Sequence, residues 1–343
     1  MWPERIESVS QLDDLLSEPS EAATAALRDL PGDIVVLGVG GKMGPTLARM
    51  AARASALAGV RRRVFGVSRF SSPGLPARLA SWGVEPIQAD LLDRAVYDRL
   101  PDAPHVVYMA GMKFGTSGQA SLTWAMNAHL PALVCERFPS SRIAAFSTGN
   151  VYALSPGTGR GSRESDPPGP IGEYAMSCLA RERMFEHFSR TRGTPVALLR
   201  LNYATELRYG VLVDIAARVR AGRAVPLAMG YLNAIWQGDA CAMSLQALAH
   251  ASSPPLTLNL AGPDVLSVRA IAEELGDRLG MPAAFEGTEA PDALLSDARR
   301  AFGLFGPPRV SAGQMIAWIA DWTRRGGATL GKPTHFEERT GRF

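Results

Sequence analysis

Asp33-Ile-Val-Val-Leu-Gly-Val-Gly-Gly-Lys-Met-Gly44 decides the fold. Pro31-Gly32 breaks the chain just before it, and the apolar run that follows predicts a short strand buried on both faces of a parallel sheet. The glycines then open a helix predicted over 43–58. Gly38 permits the tight turn, and Gly40 and Gly41 let backbone amides approach an anion. Gly44 lets the helix pack closely on the strand, with its N-terminus facing that anion. In this strand–turn–helix setting the pattern predicts a dinucleotide pyrophosphate held at Gly38, Gly40, Gly41, Lys42, Met43 and Gly44.

Outward from the turn, helical and extended segments alternate. Strands are predicted at 63–68, 84–89, 105–110, 142–147, 196–201 and 256–260. Between and after them come helices at 75–82, 95–100, 121–138, 172–190, 211–221, 239–250, 267–279 and 311–324. Such alternation predicts right-handed βαβ units, hence an α/β, doubly wound (Rossmann) parallel sheet with a small C-terminal substrate lobe. Residues 1–32 read as an N-terminal helical extension and 33–200 as the dinucleotide-binding core. Residues 201–325 complete the core and add the substrate-binding lobe, and 326–343 read as a flexible Gly- and charge-rich tail. The turn formers between Ser155 and Pro170 predict a mobile loop or lid.

With 343 residues, 46% of them hydrophobic, the chain can bury a substantial core. The net charge of +3 is spread over scattered arginines, with no basic stripe to suggest nucleic acid. Cys135, Cys178 and Cys241 are odd in number and far apart, which fits neither a disulfide framework nor a metal site. The N-terminus lacks an apolar signal core, and no apolar run of about eighteen residues exists. A cytoplasmic protein with no membrane partner is expected.

The second strand ends Gly66-Val-Ser-Arg-Phe70 with no carboxylate to grip a ribose diol. Ser68 and Arg69 there favour NADP over NAD, Arg69 standing where a 2′-phosphate would lie, unless it is an ordinary solvated charge.

Further marks accumulate: Ala89-Asp-Leu91, Met109-Ala-Gly111, Phe146-Ser-Thr-Gly-Asn-Val-Tyr152, Tyr174, Leu199-Arg-Leu-Asn-Tyr203 and Ile235-Trp-Gln-Gly-Asp239. With the glycine turn, these make the chain resemble the extended short-chain dehydrogenases/reductases, the NAD-dependent epimerase/dehydratase group, from about residue 33 to 325. The resemblance implies that Asp90 and Leu91 meet the adenine, Asp90 otherwise capping the next turn. It implies that Ala110 and Gly111 border the cofactor, that Thr148 bonds the reacting oxygen, and that Tyr174 is the general acid/base. Asn127 matches the family's structural asparagine, and a homodimer built from helices 121–138 and 172–190 is implied as well.

One position departs. The family's Tyr-x-x-x-Lys reads here Tyr174-Ala-Met-Ser-Cys178. Residues i and i+4 share a helix face, so a lysine at 178 would sit beside the phenol. A unit charge about 4 Å away, at an effective dielectric of about 20, is worth about three pKa units that cysteine does not supply. Cys178 could equally be a small buried apolar residue. Two sources of positive charge remain: an oxidised nicotinamide ring, or Lys113 in Ala110-Gly-Met-Lys-Phe-Gly115. That segment is similar to one in UDP-galactose 4-epimerases whose lysine lies near the cofactor phosphates; otherwise Lys113 is a solvated loop charge.

The segment Asn202–Gly210 is brief, and 226–235 lacks the arginine with which family members hold a sugar nucleotide's diphosphate. Thr148, Asn150, Asn202 and Arg208 are the substrate candidates, with Arg208 or Arg163 available to a small carboxylate. The expectation is an NAD(P)-dependent oxidoreductase or epimerase acting on a sugar or sugar acid. A dinucleotide-binding sensor without turnover is the alternative. The sequence leaves substrate identity, stereochemistry, net redox against epimerisation, and the role of residues 9–30 open.

Overall fold

A computed structural model describes residues 2–113 and 118–342, so Phe114 and Gly115 of the quoted loop lie outside it. Helices α1 (Val9–Leu16) and α2 (Glu21–Arg28) precede β1 (Ile34–Leu37) and α3 (Gly44–Leu57). Next come β2 (Val64–Ser68), α4 (Leu75–Ser81), β3 (Val84–Gln88) and β4 (His105–Tyr108). Then α5 (Ala120–Trp124), α6 (Leu130–Arg137), β5 (Arg142–Thr148) and α7 (Gly172–Arg192) follow. The chain continues through β6 (Val196–Leu201), α8 (Val211–Arg220), α9 (Gln237–Ala247) and β7 (Leu256–Leu260). It closes with α10 (Val268–Leu279), α11 (Arg299–Phe305) and α12 (Ala312–Arg324).

The seven strands run in the order β7-β6-β5-β4-β1-β2-β3, all parallel. The order reverses between β1 and β4, and a crevice opens there at the strands' carboxyl ends, as open α/β sheets require. β1 is buried at every position because helices cover both faces of the sheet. The lobe of α8, α10 and α12 has its own core around Trp236 and Trp318.

The N-terminal extension joins these units. Leu12 and Leu16 of α1 enter the core of the lobe, while Ala23 and Leu27 of α2 enter the core under the sheet.

Several sequence expectations need correction. The helix expected without a break at 121–138 carries a π-helical turn, Ala125–His129, between α5 and α6. Helix α11 was not anticipated. The expected lid at 155–170 is pinned: Ser155-Pro156 pairs antiparallel with Asp292-Ala293, and the Ser162 amide donates to Leu295 O at 2.9 Å. The expected flexible tail is docked, because Phe336 is buried in the lobe core and needs the segment around it. Thr334 N donates to Asp214 at 2.7 Å, and Leu330 N to Arg208 O at 3.0 Å. No helix among the described residues is long and apolar enough to cross a membrane.

Candidate active site

The glycine turn has the shape the sequence demands. A Cβ on Gly38 would meet Ala110 N at 2.6 Å, and one on Gly44 would meet Val39 O at 2.2 Å. Gly38 also has φ +89°, a backbone region natural only to glycine. A Cβ on Gly41 would meet nothing nearer than 3.4 Å, so that residue presents bare backbone to the crevice. The turn is therefore a cradle sized for a close-approaching anion at the N-terminus of α3.

The crevice has a volume of about 1140 Å³. Gly38, Gly40, Gly41, Lys42, Met43, Gly44, Gly111 and Lys113 line it on the turn side, with Thr148, Asn150, Tyr174, Asn202 and Arg208 opposite. Ser68 stands behind Gly40, whose added Cβ would meet Ser68 Oγ at 2.4 Å. Ala110 is buried against Gly38. Among the described residues, the wall does not include Arg69, Asp90 or Leu91. Arg69 and Asp90 are exposed, and Asp90 accepts from Leu92 N at 3.1 Å, a local turn bond. Arg49 and Arg78 line the rim instead, at 4.6 and 5.2 Å from the Trp82 ring.

Thr148 and Tyr174 converge. Thr148 ends β5 and caps the short turn Gly149–Val151, accepting from Asn150 N at 3.2 Å. Tyr174 stands in the first turn of α7, with the Thr148 and Cys178 side chains next to its hydroxyl. Burial pushes the phenol well above its ordinary range, the neighbouring Cys178 adds to this, and Arg181 opposes it. Cys178 is fully buried beside Val151 and Tyr152, and burial holds its thiol up as well.

Asn127 lies in the π turn, a local distortion that often marks working sites. It grips the backbone of Met112 from both sides: Nδ2 donates to Met112 O, and Oδ1 accepts from Met112 N, both at 2.9 Å. Its Nδ2 also reaches Ser177 Oγ at 2.9 Å, and Ser177 donates to Tyr174 O.

Sequence reasoning missed Arg181. It stands seven residues after Tyr174, on the same face of α7, with its guanidinium buried. Nη1 donates to Phe146 O at 2.9 Å and Nη2 to Asn127 Oδ1 at 2.6 Å. Arg208 reaches the crevice but is held by Asp13 and Glu206, so its charge is already balanced. Arg163 lies at a separate surface hollow with Asp297 and Arg299.

All three lysines of the chain, Lys42, Lys113 and Lys332, line this crevice, the last from the docked C-terminal segment. Lys42 Nζ sits 3.4 Å from the centre of the Tyr209 ring. Burial, with Lys113 and Lys332 nearby, pulls its pKa down to about 7. Burial likewise lowers Lys113 to about 8.

Against this geometry, residues 34–255 match the model of the NAD dependent epimerase/dehydratase family. The chain belongs to that family. It is thereby a member of a family of NAD-dependent enzymes. No protein of curated function matches it by sequence. Solved structures share its fold. MoeE5 bound to UDP-glucose and NAD has a TM-score of 0.68 at 20% identity, over 86% of this chain and 99% of that one. A Bacillus cereus UDP-glucuronic acid 4-epimerase variant with NAD scores 0.71 at 17% identity, over 85% and 99%. DesIV, a dTDP-glucose 4,6-dehydratase from Streptomyces venezuelae with NAD bound, scores 0.72 at 19% identity, over 85% and 97%.

Proposed function

We propose that this epimerase/dehydratase family member is an NAD(P)-dependent oxidoreductase or epimerase acting on a sugar or sugar-acid substrate. One observation carries the reading: the neighbouring hydroxyls of Thr148 and Tyr174 share a crevice with the glycine turn. The turn, Gly111 and the Lys42 and Lys113 amines would hold the dinucleotide, whose nicotinamide supplies the hydride acceptor or donor. Thr148 holds the reacting oxygen of the substrate, and Tyr174 exchanges its proton. The raised phenol starts as a proton donor, which suits reduction of a carbonyl in the unaided site. Asn150 and Asn202, both on the crevice wall, are the neutral hydrogen-bonding partners for a sugar's hydroxyls.

For the cofactor, NADP is favoured over NAD. β2 ends without a carboxylate, and Arg49 and Arg78 on the crevice wall, with Arg69 exposed just past β2, support a preference for the extra phosphate. Direct titration decides it: tenfold tighter binding of NAD than of NADP overturns the preference. Leu122, Trp124, Ile171 and Met176 leave apolar surface on α5 and at the start of α7, which supports pairing of two copies there. The three buried, unpaired cysteines support a reducing compartment, the cytoplasm.

The test is to mix the protein and each cofactor with UDP-glucose, UDP-glucuronic acid, dTDP-glucose and free sugar acids, and to follow reduced-nicotinamide absorbance or the sugar's configuration. Turnover that vanishes in Tyr174→Phe supports the reading. Silence throughout, with tight cofactor binding, favours instead a non-catalytic dinucleotide sensor, to which the buried Cys178 lends support.

A further inference from the structure

Groups from three elements meet Tyr174. Thr148 faces it from the end of β5, Cys178 and Arg181 from α7, and Lys113 from the segment after β4. Lys113 Nζ lies 5.7 Å from the centre of the Tyr174 ring. It also lies near the Cys178 thiol, which burial keeps in its neutral form.

Lys113 is held there by a built support. Asn127 clamps both backbone polar groups of Met112, the residue immediately before it. Gly111, one residue further back, has no side chain because the Arg181 guanidinium occupies that space; a Cβ would meet Nη2 at 2.2 Å. Asn127, Ser177 and Arg181 thus tie the segment to the helix that carries Tyr174.

We propose that Lys113 is the positioning cation of Tyr174, entering from the segment after β4 to do what no residue at position 178 does in this chain. This rests on the reading of Tyr174 as the proton-exchanging group. Lys113 stabilises the phenolate form when the phenol hands its proton to the substrate oxygen, and eases the reverse transfer from a substrate hydroxyl. Arg181, one helical turn beyond Cys178, is a fixed background charge whose bonds to Phe146 O and Asn127 keep it beneath the site. The lowered pKa of Lys113, about 8, reflects its burial and leaves it largely protonated at neutral pH.

The experiment is the pH profile of kcat at saturating NAD or NADP, on whichever of UDP-glucose, UDP-glucuronic acid, dTDP-glucose or a free sugar acid the protein turns over. Lys113→Met and Lys113→Gln are expected to lower kcat at pH 7 by about tenfold to a hundredfold, the effect of losing a nearby unit charge at an effective dielectric of about 20. The unsubstituted protein is expected to lose rate as pH rises through about 8, where the Lys113 amine gives up its charge, and the two variants to lack that step. Lys113→Arg is expected to keep kcat within about threefold at pH 7 and to hold it above pH 8. Near-ultraviolet circular dichroism identifies any variant that fails to fold. Unchanged kcat in folded Lys113→Met and Lys113→Gln overturns the proposal, as does an equal loss in Lys113→Arg. Failure of the underlying reading has a different signature: Tyr174→Phe then keeps full turnover.

Discussion

Arg208 lies 2.9 Å from Asp13 and 3.0 Å from Glu206, so one guanidinium ties the N-terminal helix to the wall of the crevice. This gives residues 9–30 a structural part that their sequence did not suggest. It also removes Arg208 as a free anchor for a substrate carboxylate.

Replacing Arg208 by alanine leaves Glu206, 2% exposed, as a buried charge without its partner. The expected cost is about 3–5 kcal/mol. Burial already holds Glu206 above the usual carboxylate range, and loss of Arg208 raises it further. An acid with a raised folded pKa loses stability as pH rises through the range between its unfolded and folded values. Urea melts should therefore find Arg208→Ala closer to the parent at pH 5 than at pH 8.

Lys42 sets a second pH dependence. Its pKa of about 7 means that an anionic ligand, which requires the protonated amine, binds less tightly as pH rises above about 7. Calorimetry in buffers of different ionisation enthalpy should register proton uptake when NADP binds near pH 8. In Lys42→Met the uptake should shrink and the affinity slope flatten.

For the chemistry itself, Tyr174→Phe and Thr148→Val should each lower turnover on order of 10²–10⁴-fold. Fluorescence titration should show cofactor affinity changed by less than about threefold, since neither hydroxyl belongs to the glycine turn.

The C-terminal segment offers a simple test of its docking. Phe336→Ala empties a site in the lobe core and should cost about 3–5 kcal/mol. Calorimetric melting would read this as a drop of several degrees. A segment moving freely would show no change.

Much of this was legible in the sequence. The turn at 38–44 could be read because its physics is local: an apolar strand, a forced glycine turn and a helix follow one another within a dozen residues. Pattern alone predicts the strand and the helix that carry Thr148 and Tyr174, but the two residues were singled out by the resemblance to a family, and the fold brings both to one crevice. Arg181 was not. It is one arginine among many, and only the fold brings Phe146 O and Asn127 within reach of its guanidinium. The docked C-terminus was hidden by composition, since a single phenylalanine in a polar, Gly-rich stretch decides where it lies. The pinned segment near Ser162 depends on Leu295 and Asn259, both remote along the chain.

Because every lysine side chain of this protein opens onto a single cleft, amine-directed covalent probes would find their side-chain targets only there. Peptide mapping after mild acylation would thus read the edge of the cleft first, at the exposed Lys332, before any natural ligand is known. The same scarcity makes immobilisation through lysines a poor way to tether the protein, since attachment would plug the place where ligands enter.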